Sequence, residues 1–155
     1  MTVLNSYSKI VLTLRFFENF ENGNYFAIES LLDEDYKLYY PASTALLNKD
    51  GFMDLMKNIR TSFPDFKITI DLQLADSDFV MTRFTFQAIN KREFMGIPPT
   101  KKLFVTTGIS VQRIKDYKII EEHLEFDALG ALDQLGAVSY LGQPLRSTSL
   151  VSEDY

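Results

Sequence analysis

The sequence contains no cysteine and no tryptophan, and His123 is its single histidine. Without cysteine the chain has no disulfide, no thiolate metal ligand and no cysteine nucleophile. A single histidine also weakens the case for a transition-metal site, because imidazole nitrogens are common ligands of such metals. We therefore expect no metal at the functional site of this protein.

Long apolar runs and clustered basic residues are also missing. No segment approaches the roughly 18 apolar residues of a membrane span, and the short run from Ile10 to Leu14 lacks the basic start and cleavage pattern of a signal peptide. The formal net charge is −5, with 16 Lys and Arg dispersed among 21 Asp and Glu. Since nucleic-acid binding needs clustered cations, we expect no nucleic-acid partner, no membrane partner and a cytoplasmic protein.

What the sequence does contain is a high proportion of aromatic residues. Of its 155 residues, 13 are Phe and 8 are Tyr, which makes 14% aromatic. So many rings imply either a large aromatic core or an aromatic-lined cavity. The length favours one domain; we assign it to residues 1–141 and predict that the polar stretch 142–155 is a flexible tail.

The first half of the chain has the apolar spacing of helices. Gly23 is suited to end the first helix and Asn24 to cap the second, while Asp50 is a candidate N-cap for the third. Three helices are predicted, over residues 7–21, 25–32 and 50–60, with an edge strand over residues 36–40.

The second half changes to the spacing of strands. Four consecutive strands are predicted, over residues 66–75, 79–90, 101–114 and 118–126, followed by a helical turn over residues 128–135. Helices followed by antiparallel strands indicate an α+β domain. We predict a cone-shaped barrel of N-terminal helices packed on a curved antiparallel sheet, with a cavity between them.

The last strand carries an unusual number of ionisable groups. In an extended chain Glu121, His123, Glu125 and Asp127 share one face, while Glu122 shares the other with apolar neighbours. The charged face either points to water or lines the cavity, and the register is needed to decide. In a dimer the apolar row of residues 103–111 is suited to bury against a partner sheet, which would leave the polar row for the cavity.

Asp127 is the candidate catalytic acid/base, because burial at a pocket mouth raises the pKa of a carboxyl toward a value useful for proton transfer. The alternative is that it caps the helix over residues 128–135. His123 is predicted to line the pocket or to be a satisfied core residue. Glu121 is either a pocket residue or the ion-pair partner of Arg83. The remaining predicted pocket residues are Phe16, Phe20, Tyr40, Met56 and Phe84, each of which is also suited to a core.

Three motifs carry a family resemblance: FPDF at residues 63–66, EFMGIPPTKK at 93–102, and EEHLEFDALGALDQLG ending at Gly136. Over roughly residues 7–136 the chain resembles the SnoaL-like polyketide cyclases (ester cyclases) of the nuclear-transport-factor-like fold. The resemblance implies a homodimer with a deep pocket and no metal or organic cofactor. It also implies that Asp127 acts as acid/base in an intramolecular aldol ring closure.

Three positions depart from that family pattern: Lys101 and Tyr117 stand where glycine is common, and His123 where tryptophan is common.

The expected function is a cofactor-independent acid/base cyclase or isomerase acting on a polyketide-like or other apolar carbonyl compound. The alternatives are a non-catalytic carrier or sensor of a small hydrophobic ligand, and an interaction module whose sheet face binds another chain.

Overall fold

The computed structural model describes residues 4–41, 45–140 and 143–144. Helices cover one face of a six-stranded sheet. The helices are α1 (Ser6–Asn22), α2 (Tyr25–Leu31), α3 (Lys49–Ser62) and α4 (Ala128–Gln134). The strands are β1 (Leu32–Tyr39), β2 (Leu47–Asn48), β3 (Lys67–Asp76), β4 (Phe79–Ile89), β5 (Leu103–Lys115), β6 (Lys118–Phe126), β7 (Ser139–Tyr140) and β8 (Gln143–Pro144).

The strand order of the sheet is β2-β1-β6-β5-β4-β3, and β7 and β8 form a separate pair. The predicted α+β class, with N-terminal helices on a curved sheet, is confirmed. Two details differ from the prediction. The sheet stays open at β2 and β3, and its β1–β6 pair is parallel. Strands β3 to β6 reverse direction in successive connections, whereas no hairpin joins β1 to β6, so nothing requires that pair to be antiparallel.

The helix ends follow local hydrogen bonding. Gly23 adopts φ 67° beyond α1, and Asn24 caps α2 by accepting from the backbone N–H of Ala27 at 3.2 Å, as predicted. The predicted cap of α3 is wrong: Asn48, not Asp50, accepts from the backbone N–H of Gly51 at 2.9 Å. Asp50 instead lies in the first turn of α3, where its negative charge interacts favourably with the positive end of the helix dipole.

Aromatic rings fill the space between the helices and the sheet. Phe52 of α3 packs on Phe16 of α1 at 5.8 Å and on Tyr36 of β1 at 5.6 Å between ring centroids. Phe66 stacks on Phe86 of β4 at 5.1 Å. The high aromatic content therefore builds a packed core among the described residues.

Strand β1 begins earlier than predicted, at Leu32, and the short strand β2 was not predicted. Most of the predicted tail over residues 142–155 lies outside the described residues, but Gln143–Pro144 pairs with Ser139–Tyr140. Among the described helices, none combines the length and the apolar composition needed to cross a membrane.

Candidate functional site

The register of β6 decides which of its faces looks inward. Glu122 pairs with Gln112 of β5 and with Leu38 of β1, and both neighbours are buried. The adjacent residue His123 therefore points to the opposite side, away from the helices, and is exposed. The acid that enters the aromatic interior is Glu122.

Three side chains hold the Glu122 carboxylate. Ser110 donates to Oε1 at 2.6 Å, and the Tyr36 hydroxyl donates to Oε2 at 2.8 Å. Gln112 Nε2 also donates to Oε2, at 3.2 Å. Glu122 is only 3% exposed, and its three partners are fully buried. These hydrogen bonds offset part of the cost of removing a carboxylate from water.

Burial raises the pKa of the Glu122 carboxyl, and the hydrogen bonds from Ser110, Tyr36 and Gln112 oppose that shift. Burial also raises the pKa of Tyr36 well above 10.0, with a further contribution from the neighbouring Glu122 charge. None of the ion pairs among the described residues includes Glu122. A carboxyl that lacks a cationic partner and sits in an apolar core has the environment of a proton-transfer group.

Asp127 occupies the position that the helix-cap alternative predicted. Its Oδ1 accepts from the backbone N–H of Gly130 at 2.9 Å, at the start of α4. The Asp127 backbone N–H donates to the backbone carbonyl of Thr107 at 3.1 Å, and Thr106 Oγ1 donates to the backbone carbonyl of Asp127 at 3.1 Å. Asp127 is thus the N-cap of α4, and a catalytic role for it stays a prediction.

His123 lies on the outer face of the sheet rather than toward the aromatic interior. Its ring stacks on Tyr39 with centroids 4.2 Å apart and planes 2° from parallel, and its Nε2 lies 2.7 Å from Glu121 Oε1. The predicted pairing of Glu121 with Arg83 is wrong, because β5 separates β4 from β6. Arg83 instead binds Asp71 of β3 at 2.6 Å.

The remaining predicted pocket residues divide into two groups. Phe16, Met56 and Phe84 are buried in the core, and Phe20 is partly buried against it. Tyr40 alone of this set lines an open groove of about 520 Å³ between α3 and the connection from β4 to β5.

Both walls of this groove carry apolar and polar side chains. Leu55 of α3 and the connection residues Phe94 and Met95 supply apolar surface. Asp54 and Asn58 of α3 face the same space, as do Thr61 and Glu93. The groove therefore combines a volume suited to a small molecule with hydrogen-bonding groups on both sides.

The connection that forms one wall is tied to the core at its base. Asn90 is fully buried. Its side-chain Oδ1 accepts from the backbone N–H of Thr100 at 2.6 Å, and its Nδ2 donates to the backbone carbonyl of Arg92 at 3.1 Å. Ser62 Oγ donates to the carbonyl of Glu93 at 2.6 Å. Phe94 packs on Phe63 at 5.0 Å. This segment is consequently a fixed wall of the groove.

Comparison with known proteins assigns the chain to a family. The model of the SnoaL-like polyketide cyclase family matches residues 11–135. The chain belongs to this SnoaL-like family. A comparison with curated proteins gives no match.

Solved structures of three Streptomyces proteins share the fold. IdmH from Streptomyces antibioticus, a proposed polyketide cyclase, is 26% identical with a TM-score of 0.75, covering 83% of this chain and 98% of its own. TsrD from Streptomyces laurentii is 24% identical with a TM-score of 0.78, and the match covers 88% of this chain and 100% of TsrD. AclR from Streptomyces galilaeus, a proposed hydroxylase, is 21% identical with a TM-score of 0.79, and the match covers 88% of this chain and 89% of AclR.

Two departures from the SnoaL-like pattern have a visible backbone consequence. Lys101 has φ 58° and Tyr117 has φ 61°, the left-handed region that glycine adopts without cost. Both positions therefore keep the turn that glycine would make, at some cost in backbone strain.

Four residues of the buried site were missed from the sequence: Glu122 and its partners Tyr36, Ser110 and Gln112. The sequence feature that could have identified this site is an acid, Glu122, on the otherwise apolar face of β6 that also carries Leu124 and Phe126. Within the described part of the chain, no cluster of three or more His, Asp or Glu side chains is placed to hold a metal ion.

Proposed function

We propose that this SnoaL-like protein is an acid/base cyclase or isomerase that acts on a polyketide-like or other apolar carbonyl compound. We further propose Glu122, in place of Asp127, as the group that transfers the proton. The observation that carries the proposal is a buried carboxyl with a raised pKa, held by three hydrogen-bond donors inside an aromatic core. Such a carboxyl changes protonation state closer to neutral pH than an exposed one does.

In the proposed reaction the Glu122 carboxylate removes a proton from the carbon next to the substrate carbonyl. The electron pair of that C–H bond moves toward the carbonyl oxygen, giving an enolate. The enolate carbon attacks a second carbonyl of the same molecule and forms a C–C bond, and protonated Glu122 returns its proton to the new alkoxide. In an isomerase the proton returns to a different carbon instead.

Tyr36 is proposed to stabilise the enolate oxygen by a hydrogen bond. Its pKa is raised well above 10.0, so the phenol keeps its proton throughout the neutral range and can donate this hydrogen bond. The hydroxyl already lies 2.8 Å from Glu122, so donor and base share one location. Substrate binding would have to move the Tyr36 hydroxyl from the carboxylate to the substrate oxygen.

The proposed route to Glu122 starts at the groove. Leu38 pairs with Glu122 across the β1–β6 ladder. Tyr40 lies two residues after Leu38, just beyond the end of β1 at Tyr39, which is a separation of about 7 Å in an extended chain. The Tyr40 ring is only partly buried and stacks on Phe126 at 5.7 Å. Movement of the Tyr40 ring would join the groove to the buried carboxyl.

Exchange of an α-proton tests the proposed chemistry without knowledge of the natural substrate. The protein is incubated with the apolar ketone α-tetralone in D₂O, and NMR follows deuterium incorporation next to the carbonyl. We expect catalysed exchange in the wild type and a loss of about 100-fold or more in Glu122→Gln. A folded Glu122→Gln variant that exchanges at the wild-type rate would overturn the proposal.

One observation favours a second function, that of a carrier or sensor of a small hydrophobic ligand. The Glu122 carboxylate already has three donors and is sealed from solvent, as expected of a structural polar network. A carrier would retain a ligand unchanged, so NMR spectra of the ligand recovered after incubation separate the two functions. A carrier returns only the starting compound, whereas an isomerase or cyclase returns an isomer of it with the same mass and a different spectrum.

We also propose that the protein works as a homodimer that buries the outer face of the sheet. Large apolar side chains on that face are 36–57% exposed, and such a patch is typical of an interaction surface. They are Tyr39, Leu72, Leu74, Phe79, Ile89, Leu103, Val105 and Ile109. The row that crosses the sheet through Arg113, Glu121 and Lys37 carries both signs of charge, which suits a self-complementary contact. The cytoplasmic location stays a prediction.

A further inference from the structure

The groove between α3 and the β4–β5 connection has an uneven charge. Asp54 lies on one wall and Glu93 on the other, and no Lys or Arg lines the space among the described residues. Neither carboxylate forms an ion pair with a described residue. Apolar side chains also line the groove.

The apolar side chains define what else the ligand must contain. Tyr40 and Phe94 offer ring surfaces, and Leu55 adds aliphatic surface. Burial raises the pKa of the Tyr40 hydroxyl, so it remains a neutral hydrogen-bond donor. Asn58 adds an amide that both donates and accepts. A ring system with polar substituents matches these surfaces.

We infer that this groove binds the body of a ligand that combines an apolar ring system with a protonated amine, and that it disfavours carboxylates. A carboxylate in the same place would meet Asp54 and Glu93 without a compensating cation, whereas an ammonium gains from both. This inference rests on the proposed function only in taking the groove's occupant to be the substrate. Binding itself requires no turnover.

Three probes of matched shape test the charge preference: naphthylmethylamine, naphthalenemethanol and naphthoic acid. Each is titrated into ¹⁵N-labelled full-length protein, and the shifts of the Gly51 backbone amide and the Asn58 side-chain amide report binding at the groove. We expect the amine to bind about three- to tenfold more tightly than the alcohol, and the acid more weakly than the alcohol, since both carboxylates are exposed to water. The preference should shrink as salt is added.

The double variant Asp54→Asn and Glu93→Gln should remove the preference for the amine and leave the affinity for the alcohol unchanged. The matched control is Glu18→Gln with Asp35→Asn, two exposed acids outside the groove lining. It changes the net charge equally and should keep the preference. Equal affinities for all three probes, an amine preference that survives the double variant, or shifts confined to other residues would overturn the inference.

The outcome is separable from that of the proposed chemistry. If Glu122→Gln keeps full exchange activity while the groove still selects the amine, the reaction assignment fails and the binding site stands. If exchange depends on Glu122 while the probes bind without preference, the reverse holds.

Discussion

The carboxyl group of Glu122 is the least ordinary residue-scale feature of this protein. It is 3% exposed and has hydroxyl and amide partners but no cation among the described ion pairs. Removing a carboxylate from water without a cation is costly, and hydrogen bonds recover only part of that cost. The group therefore binds its proton more tightly in the folded protein than in the unfolded chain.

This difference predicts how stability depends on pH. Burial raises the Glu122 pKa above its ordinary 4.5, so between the two values the folded state binds more protons than the unfolded state. The contribution of Glu122 to stability therefore falls as pH rises through that window, by at most about 1.4 kcal/mol per pH unit.

Urea unfolding across this pH range checks the prediction, with Glu122→Gln as the variant that cannot ionise. The free energy of unfolding of the wild type should fall with rising pH relative to that of the variant. The exposed Glu125→Gln is the control and should follow the wild type. Parallel curves for wild type and Glu122→Gln would contradict the raised pKa.

The hairpin between β5 and β6 gives a second residue-scale prediction. Asp116 has φ 49° and Tyr117 has φ 61°, and a left-handed conformation costs a non-glycine residue about 1–2 kcal/mol. Tyr117 is 55% exposed, so little burial is lost on its removal. We expect Tyr117→Gly to raise the free energy of unfolding by about 1 kcal/mol in urea titrations. Tyr117→Ala keeps Cβ and should give no such gain; equal stability of the two variants would contradict the strain.

At the residue scale, the sequence singled out β6 as the acid-bearing strand but did not single out its buried acid, Glu122. It identified β6 as acid-bearing and placed Glu122 on its apolar face. It favoured Asp127 and His123, because the face that turns inward depends on register, and the spacing of one strand does not determine the register. The pairing of Glu122 with Gln112 and Leu38 supplies that information.

At the scale of elements, α4 depends on one side chain for its start. Asp127 Oδ1 accepts from the Gly130 N–H at 2.9 Å, and losing such a cap costs about 1 kcal/mol. We expect Asp127→Ala to lose about that much stability in urea titrations and Asp127→Asn to lose less, because asparagine caps as well as aspartate. Equal losses in the two variants would show that the charge, not the cap, stabilises α4.

Gly130 provides an independent test of the same cap. A Cβ atom at this position would lie 2.2 Å from Asp127 Oδ2, so alanine must displace the carboxylate. Alanine normally stabilises a helix relative to glycine, yet here we expect Gly130→Ala to destabilise the protein. In the Asp127→Ala background the same substitution should cost much less, and a double-mutant cycle measures the difference. Additive effects would contradict direct contact.

Elements with strong local signals were the most predictable from sequence. The Gly23 and Asn24 caps and strand β6 were located correctly because each depends on neighbours in the chain. The cap of α3 was misplaced by two residues, since Asn48 and Asp50 are both good capping residues. The short strand β2 was missed because its two residues pair only through the tertiary contact with β1.

At the scale of the whole molecule, the outer sheet face determines the expected assembly. Ile109 is 41% exposed near the middle of the sheet. We expect Ile109→Glu to weaken the proposed homodimer about 100-fold or more, because it would bury a charge in an apolar contact, while hardly changing the stability of the monomer. Sedimentation equilibrium measures the dissociation constant. Leu129→Glu, at the 57% exposed Leu129 of α4, is the control and should leave assembly unchanged. A wild-type monomer at high concentration would contradict the proposed dimer.

The fold as a whole was largely predictable, because the switch from helical to strand spacing and the SnoaL-like motifs indicated the same architecture. The open edges of the sheet and the parallel β1–β6 pair were not predicted, since they depend on which strands meet after the chain has folded. The same long-range pairing places Tyr36 beside Glu122, although 86 residues separate them in sequence.

Comparing Glu122 and Asp127 in one assay decides which of the two carboxyls transfers the proton. The measurement is the rate of α-tetralone deuteration in folded Glu122→Gln and Asp127→Asn. We expect a loss of about 100-fold or more in Glu122→Gln and a rate within about threefold of wild type in Asp127→Asn, which keeps the cap. A large loss in Asp127→Asn together with a wild-type rate in Glu122→Gln would contradict this expectation.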